Sequence, residues 1–248
     1  MRVRRDSDEA TQDIGFDGNG DLDTAAIATF CSGTFGYVTR WYDQSGNGND
    51  ATQGTGSRQP MIYDRVAAAV VTENGKPAMD CASNALVAPS VTLDSYYSWY
   101  YVAKPDASGG FIFEHSADSN PNEGAYNFLG INNTAEIFRN PNNTATRNAT
   151  AGGGYAGTSQ TLIDWNYSGT WTAYKDGAAL SIGPGQGDFG DIGDSSATDE
   201  LNLFSRNESS LFFNGKFQEI VFWNNDQDAD GNRTGIETNI NDYFDIYT

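Results

Sequence analysis

The chain has 248 residues, of which 33 are acidic and 14 basic, for a formal net charge of −19. That balance argues against nucleic acid and anionic membranes as partners, because phosphate binding needs clustered Lys and Arg; no apolar run reaches the ~18 residues of a membrane span. Aromatic residues at 13% and 28 glycines suit an all-β chain of many strands joined by tight turns.

Along the chain, Arg2, Arg4 and Arg5 form the one basic cluster, expected at a strand edge where charge blunts pairing. Asp23 can cap a short helix over Thr24–Phe30, with Ala26, Ile27 and Phe30 as its apolar side. Val38–Tyr42 and the aromatic run Tyr96–Ala103 read as strands. Further strands are expected at Phe111–Glu114, Tyr126–Ile131, Glu136–Phe138, Gln160–Trp165 and Thr170–Tyr174. Asp176-Gly177 then supplies hairpin chemistry, since Asp-Gly suits the φ > 0 positions of primed turns. Phe217–Trp223 is the last strand. A final helix runs from about Arg233 to Tyr243, with Ile236, Ile240 and Tyr243-Phe244 inward at helical spacing. The tracts 115–125, 140–158 and 183–199 are rich in Gly, Asn, Ser and Asp and read as rim loops. Nothing divides the chain, so 1–248 reads as a single domain. Cys31 and Cys81 are no disulfide framework, and their pairing is left open. There is no signal-peptide pattern.

The segment Trp41-Tyr42-Asp43-Gln44-Ser45-Gly46-Asn47-Gly48-Asn49-Asp50 sets two aromatics beside a polar, Asx-rich loop. Trp41 or Tyr42 offers a sugar a flat apolar face, and Asp43, Gln44, Asn47 and Asn49 can bind hydroxyls. The same groups can equally buttress the loop by side-chain-to-backbone hydrogen bonds. Tyr155, in a rim tract, is another possible sugar platform. Asp226, Asp228, Asp230, Asn232 and Glu237 fall in the spacing D-x-D-x-D-G-x5-E, which suits Ca2+, with Gly231 at the sharp turn and Glu237 at the twelfth position. Arg233 stands where an aliphatic residue is usual, and the competing reading is an acidic turn that caps the last helix. Asp17-Gly18-Asn19-Gly20-Asp21 begins similarly but reads as a turn, because the twelfth position is Ala28. Glycoside hydrolysis needs two facing carboxyls, for which Glu114, Glu136, Asp164 and Glu219 are the nominees. His115, the sole histidine, has no triad context.

WYDQSGNGNDATQ (41–53), followed by Gln59-Pro60 and NGKPAMD (74–80), resembles the opening of concanavalin A-like (laminin-G-like) jelly-roll domains. Arg2–Arg5, Asp13–Asp17 and Gly20–Ala26 are similar to the start of arabinofuranosidase B-type catalytic domains. The resemblance is clear over residues 2–80 and returns at 201–206, 211–217 and 235–244. It implies an antiparallel two-sheet jelly-roll sandwich with short helices near the two termini. It leaves the activity open, since such sandwiches host lectins, hydrolases and coat modules alike. The favoured expectation is a non-enzymatic, lectin-like glycan-binding or attachment module of a phage particle or bacterial surface, extracellular or on a virion. Its expected partner is a surface glycan or a neighbouring structural protein. A structural virion domain and a glycoside hydrolase of arabinofuranosidase type are the alternatives. Relatives carry a leading strand before the Arg2–Arg5 segment, so that segment is expected at an open edge that a second copy can cover.

Overall fold

The computed structural model describes residues 1–93, 96–106, 110–115, 124–129, 135–140, 147–151, 159–168, 170–184 and 197–248. Its strands pair antiparallel into two layers. The first layer runs Ala178–Ala179, Trp171–Lys175, Thr161–Tyr167, Tyr97–Pro105, Asn214–Trp223, Met79–Ala82, Met61–Asp64, Gly36–Trp41, Arg2–Arg5 and Thr11–Asp13. The second runs Ala51–Thr52, Leu86–Leu93, Ala197–Leu203, Phe111–His115, Gly124–Leu129, Ala135–Asn140, Arg147–Ala151 and Ile182–Pro184. Ala51–Thr52 also pairs with Gly36–Trp41 and so joins the layers at one corner. This is the antiparallel all-β sandwich that the strand pattern predicts.

Tyr97–Pro105 shows why the core sits where it does. Tyr97, Trp99 and Tyr101 enter the core between the layers, where Trp99 meets Phe113 of the opposite layer edge-on at 5.2 Å. Tyr100 and Val102 point the other way and pack with Leu162, Ile240 and Phe244 beneath the C-terminal helix. A strand covered on both faces has no polar side, so Tyr97–Ala103 reads as a nearly continuous apolar and aromatic stretch, broken only by buried Ser98, rather than as an alternation. Tight edge-to-face aromatic contacts add about 0.5–1.5 kcal/mol each beyond burial.

Helix α1 is Thr24–Phe30, with the Asp23 carboxylate accepting from the Ala26 N–H at 2.9 Å. Helix α2 is Arg233–Phe244, and Glu237, Ile240 and Phe244 are its buried side. Asp245 follows in the left-handed conformation, and Asn74 Nδ2 donates to the Phe244 carbonyl at 2.9 Å, tying the helix end to the hairpin in which Thr72–Glu73 pairs with Lys76–Pro77. Asp176 and Gly177 both have positive φ, as the Asp-Gly hairpin requires.

Two expectations need correction or completion. Arg2–Arg5 is not an edge: it lies between Gly36–Trp41 and Thr11–Asp13. The short, exposed Thr11–Asp13 strand takes the outer position, and Arg2 Nε holds it by an ion pair to Asp13 at 2.8 Å. The rim tracts also contain strands, among them Arg147–Ala151 and Ile182–Pro184. Cys31 and Cys81 are both buried free thiols.

Candidate active site

The Asn214–Trp223 strand positions the site through an irregularity. Ala103 pairs with Phe217 and Val102 with Glu219, so Gln218 is an extra residue. In a regular strand Phe217 and Glu219 would share a face. The bulge re-aims the chain, so that Phe217 enters the core while Glu219 lies opposite Val102, on the side that α2 covers. The Gln218 amide donates to the carbonyls of Glu73 and Lys76 at 3.1 and 3.2 Å, which fixes the bulge.

Glu219 opens into a cleft of about 250 Å3. Trp41, Tyr42 and Gln44 wall one side, Tyr243 and Phe244 of α2 another, and Phe16 and Asp21 the rim. Burial pushes the Glu219 carboxyl up to about 7, against one opposing hydrogen bond from the Ile220 N–H. Burial first, then the nearby Asp21 carboxylate, pushes the Tyr243 phenol up to about 12, with Glu219 adding to the effect. The two carboxylates therefore flank one phenol. Lys76 Nζ sits 3.8 Å from the Tyr243 ring centroid and holds the ring from behind. The Asp17–Asp21 segment is a rigid turn: Asp17 Oδ1 accepts from the Asn19 and Asp21 N–H groups at 2.8 and 3.1 Å, and Phe16 bridges Leu22. Such a site can hold a sugar against aromatic faces and give a proton from one carboxyl beside a second carboxylate.

The structure sorts the sequence-predicted sugar residues. Trp41, Tyr42 and Gln44 reach the cleft. Asp43 folds back into its own loop, accepting from the N–H groups of Ser45 and Asn49 at 2.8 and 3.0 Å. The Asn47 N–H donates to Ser45 Oγ at 3.2 Å, so the loop backbone is also buttressed from within. Tyr155 lies outside the described residues. Among the described residues, Glu219 alone of the nominated carboxylates lines the cleft. Glu114 is fully buried in the second layer, accepting from the Asn207 N–H at 2.7 Å and lying 3.7 Å from Arg206. The side chain of Glu136 is outside the described residues. His115 is buried, with Nε2 at 2.7 Å from the Val91 carbonyl oxygen.

Asp164 belongs to a buried network under α2. Asn166 Nδ2 donates to Asp164 Oδ1 at 2.8 Å, and Arg233 donates to Glu237 Oε2 at 2.6 Å. The remaining oxygens, Asp164 Oδ2 and Glu237 Oε1, have no N–H or O–H donor from other residues. Burial first, then the neighbouring Glu237 carboxyl, drives the Asp164 pKa well up. The acidic spacing that suggested Ca2+ is arranged differently from a coordination shell. Arg233 bridges Asp228 and Glu237 at 3.0 and 2.6 Å and stacks over Tyr174. Asp226 caps the N–H groups of Asp228 and Ala229, Asp230 accepts from Asn225, and Asn232 Nδ2 donates to Gln227. Among the described residues no three His, Cys, Asp or Glu side chains converge as metal ligands.

A family model described as alpha-L-arabinofuranosidase B, catalytic, matches residues 1–93. Within that part the chain is 41% identical over 85 residues to a probable alpha-L-arabinofuranosidase B of Aspergillus fumigatus, covering 31% of this chain and 17% of that protein. An alpha-L-arabinofuranosidase of Hypocrea jecorina is 40% identical over 84 residues, again with 31% and 17% covered. The match thus spans under a fifth of these curated relatives. A solved GH54 α-L-arabinofuranosidase soaked with a cyclic sulfate inhibitor superposes with a TM-score of 0.67 at 18% identity, over 96% of this chain and 58% of that one. An arabinofuranosidase complexed with arabinofuranosyl-alpha-1,2-xylobiose gives 0.62 at 17% identity, over 95% and 57%. The last two similarities show the fold. These relatives are glycoside hydrolases. That overturns the expectation of a non-enzymatic attachment module on a phage or bacterial surface: the N-terminal part matches hydrolase catalytic domains.

Proposed function

We propose that this chain is a glycoside hydrolase acting on α-L-arabinofuranosides, with the Glu219 cleft as its active site. The observation that carries the proposal is the match of residues 1–93 to an arabinofuranosidase catalytic domain, since those residues supply Phe16, Asp21, Trp41 and Tyr42 to the cleft. Glu219, protonated near neutrality, gives its proton to the glycosidic oxygen as the bond from that oxygen to the sugar breaks. The bonding pair stays on the departing alcohol. Asp21 faces the positive charge that develops on the sugar, and water completes the exchange. Glu219 regains its proton from that water, so the cycle closes. Two carboxyls, one kept protonated by its surroundings, are the usual equipment for this chemistry. An extracellular setting belongs to the same proposal.

Supplying the purified chain with 4-nitrophenyl α-L-arabinofuranoside tests the reading. Release of 4-nitrophenolate above the spontaneous rate is expected. No release from this substrate or from arabinose-substituted xylo-oligosaccharides would overturn it.

A further inference from the structure

Thr72–Glu73 pairs with Lys76–Pro77, and among the described residues neither strand pairs with any other. The turn between them is Asn74-Gly75, with φ of 48° and 74°, the two-residue primed turn that Asn-Gly favours. A hairpin this short cannot hold itself in water, so its side-chain contacts decide what it does. They run to two sides of the Glu219 cleft.

The base of the hairpin is tied to the sheet. The Glu73 carboxylate takes Lys104 at 3.0 Å and Lys216 at 3.1 Å, and Lys216 Nζ also donates to the Thr72 carbonyl at 2.8 Å. The Gln218 amide donates to the carbonyls of Glu73, Lys76 and Pro77, and its Oε1 accepts from Gln160. The bulge residue next to Glu219 is thus fastened to the hairpin. The tip is tied to α2. Asn74 Nδ2 donates to the carbonyls of Phe244 and Asp245, which a helix end leaves without intrahelical partners. Lys76 sits over the Tyr243 ring in the same last turn, where a cation also suits the helix dipole. Tyr243 and Phe244 wall the cleft into which Glu219 opens. One small hairpin therefore fastens both the strand that carries the carboxyl and the aromatic wall beside it.

Resting on the reading of the Glu219 cleft as the active site, we propose that Asn74 and Lys76 are positioning residues for the reaction. Through the hairpin they hold the last turn of α2 at a fixed place beside the Gln218 bulge, so that Tyr243 and Phe244 keep water from the Glu219 carboxyl. Neither residue touches substrate; each acts through the helix end.

Hydrogen–deuterium exchange and a carboxyl titration of the full chain test this together. Asn74→Gly keeps the primed turn, since Gly accepts positive φ, and removes only the side-chain amide. Its last α2 turn should exchange about tenfold faster than in the wild type, with Tyr97–Pro105 unchanged. Lys76→Met should loosen the same turn, and Lys76→Arg, which keeps a cation over the Tyr243 ring, should not. The Glu219 carboxyl can be followed by carboxyl-carbon NMR of labelled glutamate, with Glu219→Gln as the assignment. It should titrate near 7 in the wild type and about one unit lower in Asn74→Gly, as water reaches it. The other ionisable groups around it, Asp21 and Tyr243 with Lys76 behind the ring, are the same in both proteins. Unchanged exchange in α2 would overturn the proposal. So would an unmoved Glu219 titration in a variant whose helix end has loosened, which would make the hairpin a structural cap alone. A lowered Glu219 titration with no arabinose released by the wild type from arabinofuranosyl-α-1,2-xylobiose would sink the hydrolase reading and leave the hold on the carboxyl. Release by the wild type with the titration unmoved would do the reverse.

Discussion

Glu219 shows how one inserted residue sets the chemistry. The Gln218 bulge moves the carboxyl from the core side to the cleft side, and partial burial there raises its pKa to about 7. An acid with that pKa donates while protonated, so kcat/KM should fall as pH rises through about 7. A pH profile without that descending limb would remove Glu219 from the role. The leaving group gives a second readout. A 4-nitrophenolate departs without a proton, whereas a sugar alcohol does not. Glu219→Gln should therefore cost much less on the aryl substrate than on an arabinofuranosyl oligosaccharide. Equal losses would assign Glu219 to folding or binding instead.

Helix α2 is held by a polar network rather than by grease alone, because Glu237 takes a buried place in register with Ile240 and Phe244. The raised Asp164 pKa beneath it links its docking to pH. Asp164 has a folded-state pKa raised above its unfolded value, so the stabilisation is complete below the ordinary carboxylate range, near 4. It is lost progressively as pH rises toward the raised folded value. The melting temperature should be higher at pH 5 than at pH 8, and Asp164→Asn should flatten that slope; a wild-type melt independent of pH across this range would contradict the raised Asp164 pKa. Arg233 is the other support. Arg233→Gln leaves Glu237 buried without its cation, a loss of about 3 kcal/mol or roughly 6–12 °C in a domain of this size. A change under 2 °C would show that the bridge contributes little. Calcium binding by this loop is a proposal with its own readout. Vacating the guanidinium should let millimolar calcium raise the melting temperature of Arg233→Gln more than that of the wild type. Equal responses, with EDTA as the reference, would leave the loop an acidic cap.

At the scale of the whole molecule, the sandwich was legible because its longest elements obey local rules. The aromatic run at Tyr97–Ala103, the Asp176-Gly177 turn and the i, i+4 spacing of α2 each carry their own signal. Short pairing partners such as Ala51–Thr52 do not, since two residues acquire strand geometry only from their neighbours. The same limit applies to the site. Glu219 could be nominated, but its partnership with Asp21 and Tyr243 arises from a bulge, a turn and a helix end brought together by the fold. The edge position expected for Arg2–Arg5 failed for a related reason: Thr11–Asp13 is too short and polar to announce itself as a strand. The proposed hydrolysis of arabinofuranosides through Glu219 is tested by one comparison. Release of arabinose from an arabinofuranosyl-substituted xylobiose should be catalysed by the wild type and fall about 10²–10⁴-fold in Glu219→Gln with the melting temperature preserved. Undiminished release by the folded variant, or none by the wild type, would contradict it.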